Sequence, residues 1–145
     1  MNDPGKDAER GRCDPETGVW NGKSVARRFV SPDGLTVLVG RNAADNDVLS
    51  LCLGAPNDFW LHVAAESGSH VIVRNPEGLD RLPRATAQFA AALAVRYSKA
   101  RGGGRVAVHL AHCRDVSKPR GFAPGKVLLR DWSTLRASAH EDDGD

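Results

Sequence analysis

Two apolar runs joined by a polar loop, at residues 58–63 and 70–74, constrain this sequence more than any other feature. If they pair as antiparallel strands with Trp60 opposite Ile72, then His62 lies opposite His70. The other face of this pair is then a continuous apolar wall that must line a core, formed by Phe59, Leu61, Val63, Val71 and Val73. The two imidazoles lie on the more polar face, so the pairing predicts a two-histidine site.

The flanking segments predict an α+β fold. Residues 27–30 and 35–40 flank the turn 31–34, which has Pro at its second position and Gly at its fourth, and this pattern indicates a hairpin. Residues 46–53 predict a short helix capped by Asp45 and ended by Gly54, and residues 83–99 predict a helix rich in Ala. Residues 105–110 and 127–130 predict two further strands. We expect a mostly antiparallel sheet packed against one long Ala-rich helix, with a second short helix.

Charge divides the chain into three parts. Residues 1–18 hold three basic and five acidic side chains, and residues 137–145 hold four acidic ones, so both are predicted to be disordered acidic tails around one domain at 19–136. Residues 96–130 hold nine Arg and Lys against one acid, Asp115. Such a run predicts an electropositive face that attracts a polyanion, because the guanidinium fork fits phosphate oxygens. An ordinary solvated surface is the alternative.

Several classes of protein are disfavoured. The three cysteines, Cys13, Cys52 and Cys113, are far apart and form no C-x-x-C pair, which argues against a disulfide framework and a thiolate zinc cluster. The sequence contains no secretory apolar region and no run approaching roughly 18 apolar residues. We therefore expect a soluble cytoplasmic protein that holds no metal or cofactor and has no membrane partner.

Three segments supply candidate contacts. The turn 40–42 precedes a predicted helix start, where free N–H groups favour anions and Arg41 adds a charge, although Asp45 and Asp47 could satisfy the same amides in a purely structural turn. The loop 118–127 could approach a phosphate chain while its cations neutralise it. The candidate cations of the basic run are Arg114, Lys118, Arg120 and Lys126.

The paired histidines leave three interpretations open. His62 and His70, with Asp58, could act as general acid and base on a phosphodiester, which makes them weak catalytic candidates. Two neutral imidazoles could also begin a metal site. The third interpretation is that both rings hydrogen-bond backbone of the loop 66–69.

The order of these motifs resembles the NFACT-R domain, the RNA-binding domain of the ribosome-associated quality-control factors RqcH and NEMF. The resemblance covers about residues 27–136 and rests on GRNAADND, DFWLHV, GSHVIVR, RYSKAR and DVSKPRGFAPGKV. It implies a domain that binds RNA, either tRNA or the large ribosomal subunit. The matching motif positions include Arg41, Asn42, Asn46, Asp47, Asp58, Trp60, His62, Ser69, His70, Arg74 and Lys118.

The 26 residues before Arg27 leave no room for the other domains of the long family members, so we expect a freestanding module. Such a module could serve a separate quality-control or RNA-modification protein. We expect a non-catalytic RNA binder, with Arg41, His62, His70 and Arg74 shaping a pocket. A nucleic-acid-processing enzyme and a protein-interaction module with a basic face are the alternatives.

Overall fold

The computed structural model describes residues 12–139. The strands are β1 (Val19–Trp20), β2 (Lys23–Ser24), β3 (Ala26–Val30), β4 (Thr36–Gly40), β5 (Phe59–Val63), β6 (Val71–Val73), β7 (Val106–His112), β8 (Val116–Ser117), β9 (Leu128–Leu129) and β10 (Ser133–Ala137). The helices are α1 (Ala43–Val48), which continues as a π-helical segment (Leu49–Leu53), and α2 (Arg84–Arg96). A short 3-10 turn (Cys113–Asp115) follows β7.

Six strands form one antiparallel sheet in the order β10-β7-β5-β6-β4-β3. The predicted hairpin is confirmed, with Ala26 paired to Gly40 at one end and Val30 to Thr36 at the other. The predicted pairing of the two apolar runs is also confirmed, because Trp60 lies opposite Ile72. The predicted α+β class with a mostly antiparallel sheet is therefore correct.

The sheet has a hydrophobic core on each face. The wall predicted from the alternation packs against α2 and includes Phe59, Leu61, Val63, Val71 and Val73. On the opposite face, Trp60 and Ile72 pack against Leu49 and Leu53 of the π-helical segment. The face that carries the histidines is thus covered over part of its area and is less polar than the sequence predicted.

Both helices differ from their predicted bounds. One long helix over residues 83–99 is not confirmed, because α2 ends at Arg96, after which Tyr97 leaves the helical region with φ −98° and ψ 39°. Helix α1 begins earlier than predicted, and its cap is Asn42 instead of Asp45. The Asn42 backbone is extended, and its side-chain oxygen accepts a hydrogen bond from the Asp45 N–H at 2.8 Å. Gly54 ends the π-helical segment as predicted.

The sequence patterns did not predict β1, β2, β8 and β10. Strand β10 lies at the sheet edge beside β7, and its last residue, Ala137, is fully buried, as is most of Ala139. The predicted tails at 1–18 and 137–145 lie largely outside the described residues. Across residues 12–139, neither helix has the length and apolar character needed to cross a membrane.

Candidate nucleic-acid interface

Three chain segments meet at one end of the sheet, which we call the Gly68 end. The turn after β4 is held there because the Gly40 N–H donates to the His70 carbonyl at 3.0 Å and the Ser69 hydroxyl donates to the Gly40 carbonyl at 2.8 Å. The carboxyl end of α2 joins them through the Ser69 N–H, which donates to the Tyr97 carbonyl at 2.9 Å. The structure therefore brings residues 40–42, 67–69 and 97–99 together.

Close packing at this end requires glycine at two positions. A Cβ atom on Gly68 would lie 2.6 Å from the Ser98 Cβ. A Cβ on Gly40 would collide with the side-chain oxygen of Asn46. The absence of side chains here allows the backbone segments to approach each other, and it fixes the positions of the side chains around them.

A basic cleft opens at the Gly68 end, with a volume of about 840 Å³. Five of its ten lining residues are cationic, and these are Arg27, Arg41, Arg96, Lys99 and Arg101. The remaining lining residues are Ser67, Gly68, Ser69, Tyr97 and Ser98. Convergent cations in a concave surface raise the local electrostatic potential and attract anions, above all phosphates.

Two contacts help to place the cations of the cleft. The Arg27 guanidinium lies 5.0 Å from the centre of the Tyr97 ring, in a cation–π contact. Arg41 donates to the Ser24 hydroxyl at 3.4 Å, and its side chain is otherwise exposed. Arg27 was absent from the predicted site residues. The Arg27–Tyr97 contact joins β3 to the end of α2, which are far apart in the sequence, so no local motif predicts it.

A second hollow of about 590 Å³ adjoins the basic cleft and shares the wall formed by residues 67–69 and Tyr97. Its other lining residues include Asn42, Asn46, His62 and Lys126. Asn42 and Asn46 of one motif, His62 of a second and Ser69 of a third therefore border one continuous surface.

His70 lies inside the protein, where it is 1% exposed. Its Nε2 lies 2.9 Å from the Gly125 carbonyl, which can only accept, so the proton of the neutral ring is on Nε2. Nδ1 then accepts from the Ser50 hydroxyl at 2.7 Å, and the Ser50 oxygen accepts from the Trp60 indole at 3.0 Å. Burial, with a further contribution from His62, lowers the pKa of His70 to about 4. His70 is thus a neutral structural group at pH 7.

His62 is half-buried and accessible from the second hollow. Its ring centre lies 5.4 Å from that of His70, in an edge-on arrangement. Burial is the main cause that lowers the pKa of His62, while hydrogen bonding to the backbone of Val63 and Gly68 opposes the shift. Of the two imidazoles, His62 is the one that a ligand can reach.

Asp58 and Arg74 lie at the opposite end of β5 and β6 from the two histidines. They form an ion pair, and Arg74 also contacts Glu16 at 3.0 Å. Asp58 is 1% exposed and accepts further hydrogen bonds from the N–H groups of Ala55 and Asn75. The structure therefore does not bring Asp58 to His62 and His70, and Arg74 stays away from the basic cleft.

Asp47 and Lys118 attach the loop 118–127 to α1. The Lys118 ammonium lies 3.2 Å from the Asp47 carboxylate and donates to the carbonyls of Ala123 and Lys126. The Gly125 N–H donates to the Asp47 carboxylate at 3.1 Å. Two residues predicted to contact nucleic acid are thus engaged in positioning a loop.

The other predicted cations separate into two groups. Arg120 and Lys126 are exposed on the attached loop, and Lys126 borders the second hollow. Arg114 lies at the far end of the sheet, where it donates to the Asn57 side chain at 3.3 Å. The basic run at 96–130 therefore does not form one patch, although it supplies three of the five cleft cations, Arg96, Lys99 and Arg101. The other two come from β3 and from the turn after β4.

Comparisons with known proteins agree with this geometry. Residues 26–131 match the family described as NFACT protein RNA binding domain. The Rqc2 homolog RqcH of Bacillus subtilis is 38% identical over 111 residues, which are 77% of this chain and 19% of that protein. The Ribosome quality control complex subunit NEMF homolog of Drosophila melanogaster is 32% identical over 117 residues, covering 77% of this chain and 12% of that protein.

A solved structure is similar in fold. It is the C-terminal part of the fibronectin/fibrinogen-binding protein from Streptococcus suis, with a TM-score of 0.75 and 33% identity over 83% of this chain and 47% of that one. This chain spans about a fifth of the length of the bacterial RqcH relatives that it matches. The family match and these identities show that the chain belongs to the NFACT-R family, the RNA-binding domain of NFACT proteins.

Proposed function

We propose that this chain is an RNA-binding module for tRNA or rRNA and that it acts in or near ribosome-associated quality control, in the cytoplasm where translation takes place. The basic cleft is the observation that carries the proposal, because five cations converge around the loop 67–69. The family description and the names of the relatives support the same function.

In this proposal, the phosphate backbone of the RNA enters the cleft between Arg41, on the turn after β4, and Lys99 and Arg101, beyond the end of α2. These three side chains are exposed and come from two segments on opposite sides of the cleft, so they can meet successive phosphates. The Ser67 hydroxyl supplies a neutral donor between the charges, whereas the Ser69 hydroxyl already donates to the Gly40 carbonyl. His62 and Asn42 in the adjoining hollow then face the bases or riboses.

Titration of labelled tRNA and of large ribosomal subunits, each over a range of salt concentrations, tests the proposal. The logarithm of the association constant should fall linearly with the logarithm of salt concentration. The variants Arg41→Ala, Lys99→Ala and Arg101→Ala should each weaken binding and reduce the slope by about one. The relative affinities of the two RNAs identify the preferred one.

Arg84→Ala is the matched control. Arg84 is an exposed arginine at the amino end of α2, far from the cleft at the other end of the same helix. The Arg84→Ala variant changes the net charge by the same amount as the cleft variants, but it should leave the salt dependence of binding unchanged. Equal effects of Arg84→Ala and the cleft variants, or no binding to either RNA at low salt, would refute the proposal.

A further inference from the structure

A third hollow, of about 370 Å³, continues the surface beyond the second one. The two hollows share four lining residues, which are His62, Ala64, Gly125 and Lys126. The third hollow is also bordered by His109 and Trp132. The basic cleft and the two hollows therefore form one track that runs from the end of α2 to Trp132.

Trp132 is exposed in a way that its two fellow tryptophans are not. It is 49% exposed, whereas Trp60 is 2% exposed and Trp20 is half-buried against the second core. The His109 ring supports the indole, with ring centres 5.6 Å apart. A large aromatic side chain that is held in place but left half in water indicates an interaction surface.

The two sides of the indole differ in charge. On one side Trp132 borders a hollow that is lined by Asp80, Asp115 and Asp131 beside a single cation, Arg81. On the other side it borders the third hollow, so a phosphate is favoured only on this second side.

Lys126 is an exposed cation on the wall between the second and third hollows. An aromatic face beside a cation, at the end of a track that starts in a cleft of five cations, matches the alternation of base and phosphate along a single strand. A duplex keeps its bases stacked on each other and offers the indole none.

On the basis of the proposed function, we propose that Trp132, His109 and Lys126 form a stacking subsite for one unpaired base of single-stranded RNA. The indole takes the base, His109 holds the indole in place, and Lys126 pairs with the neighbouring phosphate. The preferred ligand is then an RNA loop or end that reaches from the basic cleft to Trp132.

Three RNAs of equal length separate stacking from charge: a single-stranded oligoadenylate, an abasic ribose-phosphate chain and a duplex. Trp132→Ala should weaken oligoadenylate binding by roughly 5-fold or more, the expected loss for one stacked base. The affinity of the Trp132→Ala variant for the abasic chain and for the duplex should equal that of the wild type. The salt slope should not change, since no phosphate contact is lost.

Trp132→Phe is the conservative variant, because its ring still stacks. It should keep most of the affinity for oligoadenylate. Stacking on Trp132 should also quench tryptophan fluorescence when oligoadenylate is added to the wild type. This quenching should be largely lost in Trp132→Phe, in which the two less exposed tryptophans remain.

The outcomes distinguish the subsite from the function on which it rests. If Trp132→Ala binds oligoadenylate like the wild type while Arg41→Ala binds it more weakly, the cleft binds RNA and the stacking subsite is wrong. An equal loss of affinity for the abasic chain and for oligoadenylate would show that Trp132 supports the fold, and this too would overturn the subsite. If the wild type binds none of the three RNAs, the proposed function fails.

Discussion

At the scale of single residues, the buried hydrogen-bond chain through His70 is the feature with the clearest consequences. Trp60, Ser50, His70 and the Gly125 carbonyl connect strand β5, the π-helical segment, the residue that precedes β6 and the loop 118–127. Each polar group of this hydrogen-bonded series has a partner, so its burial costs little free energy. Protonation of His70 would place a second proton on Nδ1, where the Ser50 hydroxyl now donates, and would bury a charge.

This arrangement makes stability depend on pH. The pKa of His70 is about 4 in the folded protein and about 6.5 in the unfolded chain, so the unfolded chain binds a proton first as pH falls. The stabilising contribution is complete above pH 6.5 and is lost between pH 6.5 and 4. Urea titrations at pH 7 and at pH 4 measure this loss. We expect the free energy of unfolding to be about 3 kcal/mol lower at pH 4 because of the protonation of His70 in the unfolded chain.

His70→Gln isolates the contribution, since Gln keeps a donor and an acceptor but does not titrate. The variant should be less stable than the wild type at pH 7 and should show a smaller difference between pH 7 and pH 4. If both proteins lose the same stability over this range, His70 is not the group responsible.

Gly40 offers a second prediction at this scale. In Gly40→Ala, the new Cβ collides with the Asn46 side chain, which accepts the His70 N–H at 3.1 Å. We expect a loss of roughly 1–3 kcal/mol, typical of overpacking, in chemical denaturation. Gly102→Ala is the control, because a Cβ there meets nothing within 4 Å. Equal stabilities of the two variants would contradict the packing argument.

Sequence patterns predicted the strand register of these residues but not their environments. Alternation placed Trp60, His62 and His70 on one face, as observed. The partners of His70 are Ser50 and Gly125, which lie 20 and 55 positions away in the chain. Contacts at such separations leave no periodic signal, so the burial of His70 was not predictable from local pattern.

At the scale of elements, the loop 118–127 is positioned by a few polar contacts. Lys118 bridges the Asp47 carboxylate and two carbonyls of its own loop, and the Gly125 carbonyl reaches His70. Helix α1 thereby fixes the side of the track that carries Lys126. A loop held in this way can loosen without unfolding the sheet.

Lys118→Met tests this role. Removing the ammonium leaves the Asp47 carboxylate with the Gly125 N–H alone from this loop, so the hydrogen-bonded amides of Gly125 and Lys126 should exchange faster with solvent. Global stability should change little. Arg120→Met, an exposed change on the same loop, should leave the exchange of the Gly125 and Lys126 amides as in the wild type. Hydrogen exchange measured by NMR distinguishes the two, and identical exchange in both variants would show that Lys118 does not hold the loop.

Elements with strong patterns were predicted, and elements defined by their neighbours were not. The hairpin β3–β4 was predicted correctly, because two strand-like runs, 27–30 and 35–40, flank a turn with Pro32 and Gly34. Strand β10 mixes Ser, Thr and Arg with Leu135, so its sequence carries no clean alternation. It is a strand because β7 offers a free edge for pairing.

At the scale of the whole molecule, the two ends of the sheet differ in whether their charged side chains are exposed or paired. The Gly68 end gathers glycines, exposed cations and His62. The opposite end is tied by the Asp58–Arg74 ion pair and its contacts with Glu16 and Asn75. Charge counting along the sequence could not separate these ends, because Arg74 and Arg41 count as the same formal charge and differ in their partners.

The family match ends at residue 131, before β10, yet this strand belongs to the domain. Leu135, Ala137 and Ala139 pack into the core beneath α2, and β10 pairs with β7 along its whole length. A chain ending at Asp131 exposes this core and leaves β7 as an unpaired edge. We expect it to lose several kcal/mol, a large part of a small domain's stability, in thermal and urea unfolding. A chain ending at Ala139, the last described residue, is the control, because it keeps β10 and its pairing with β7, and it should unfold at a clearly higher midpoint than the shorter chain. If the shorter chain matches this midpoint, β10 contributes nothing to the stability of the domain.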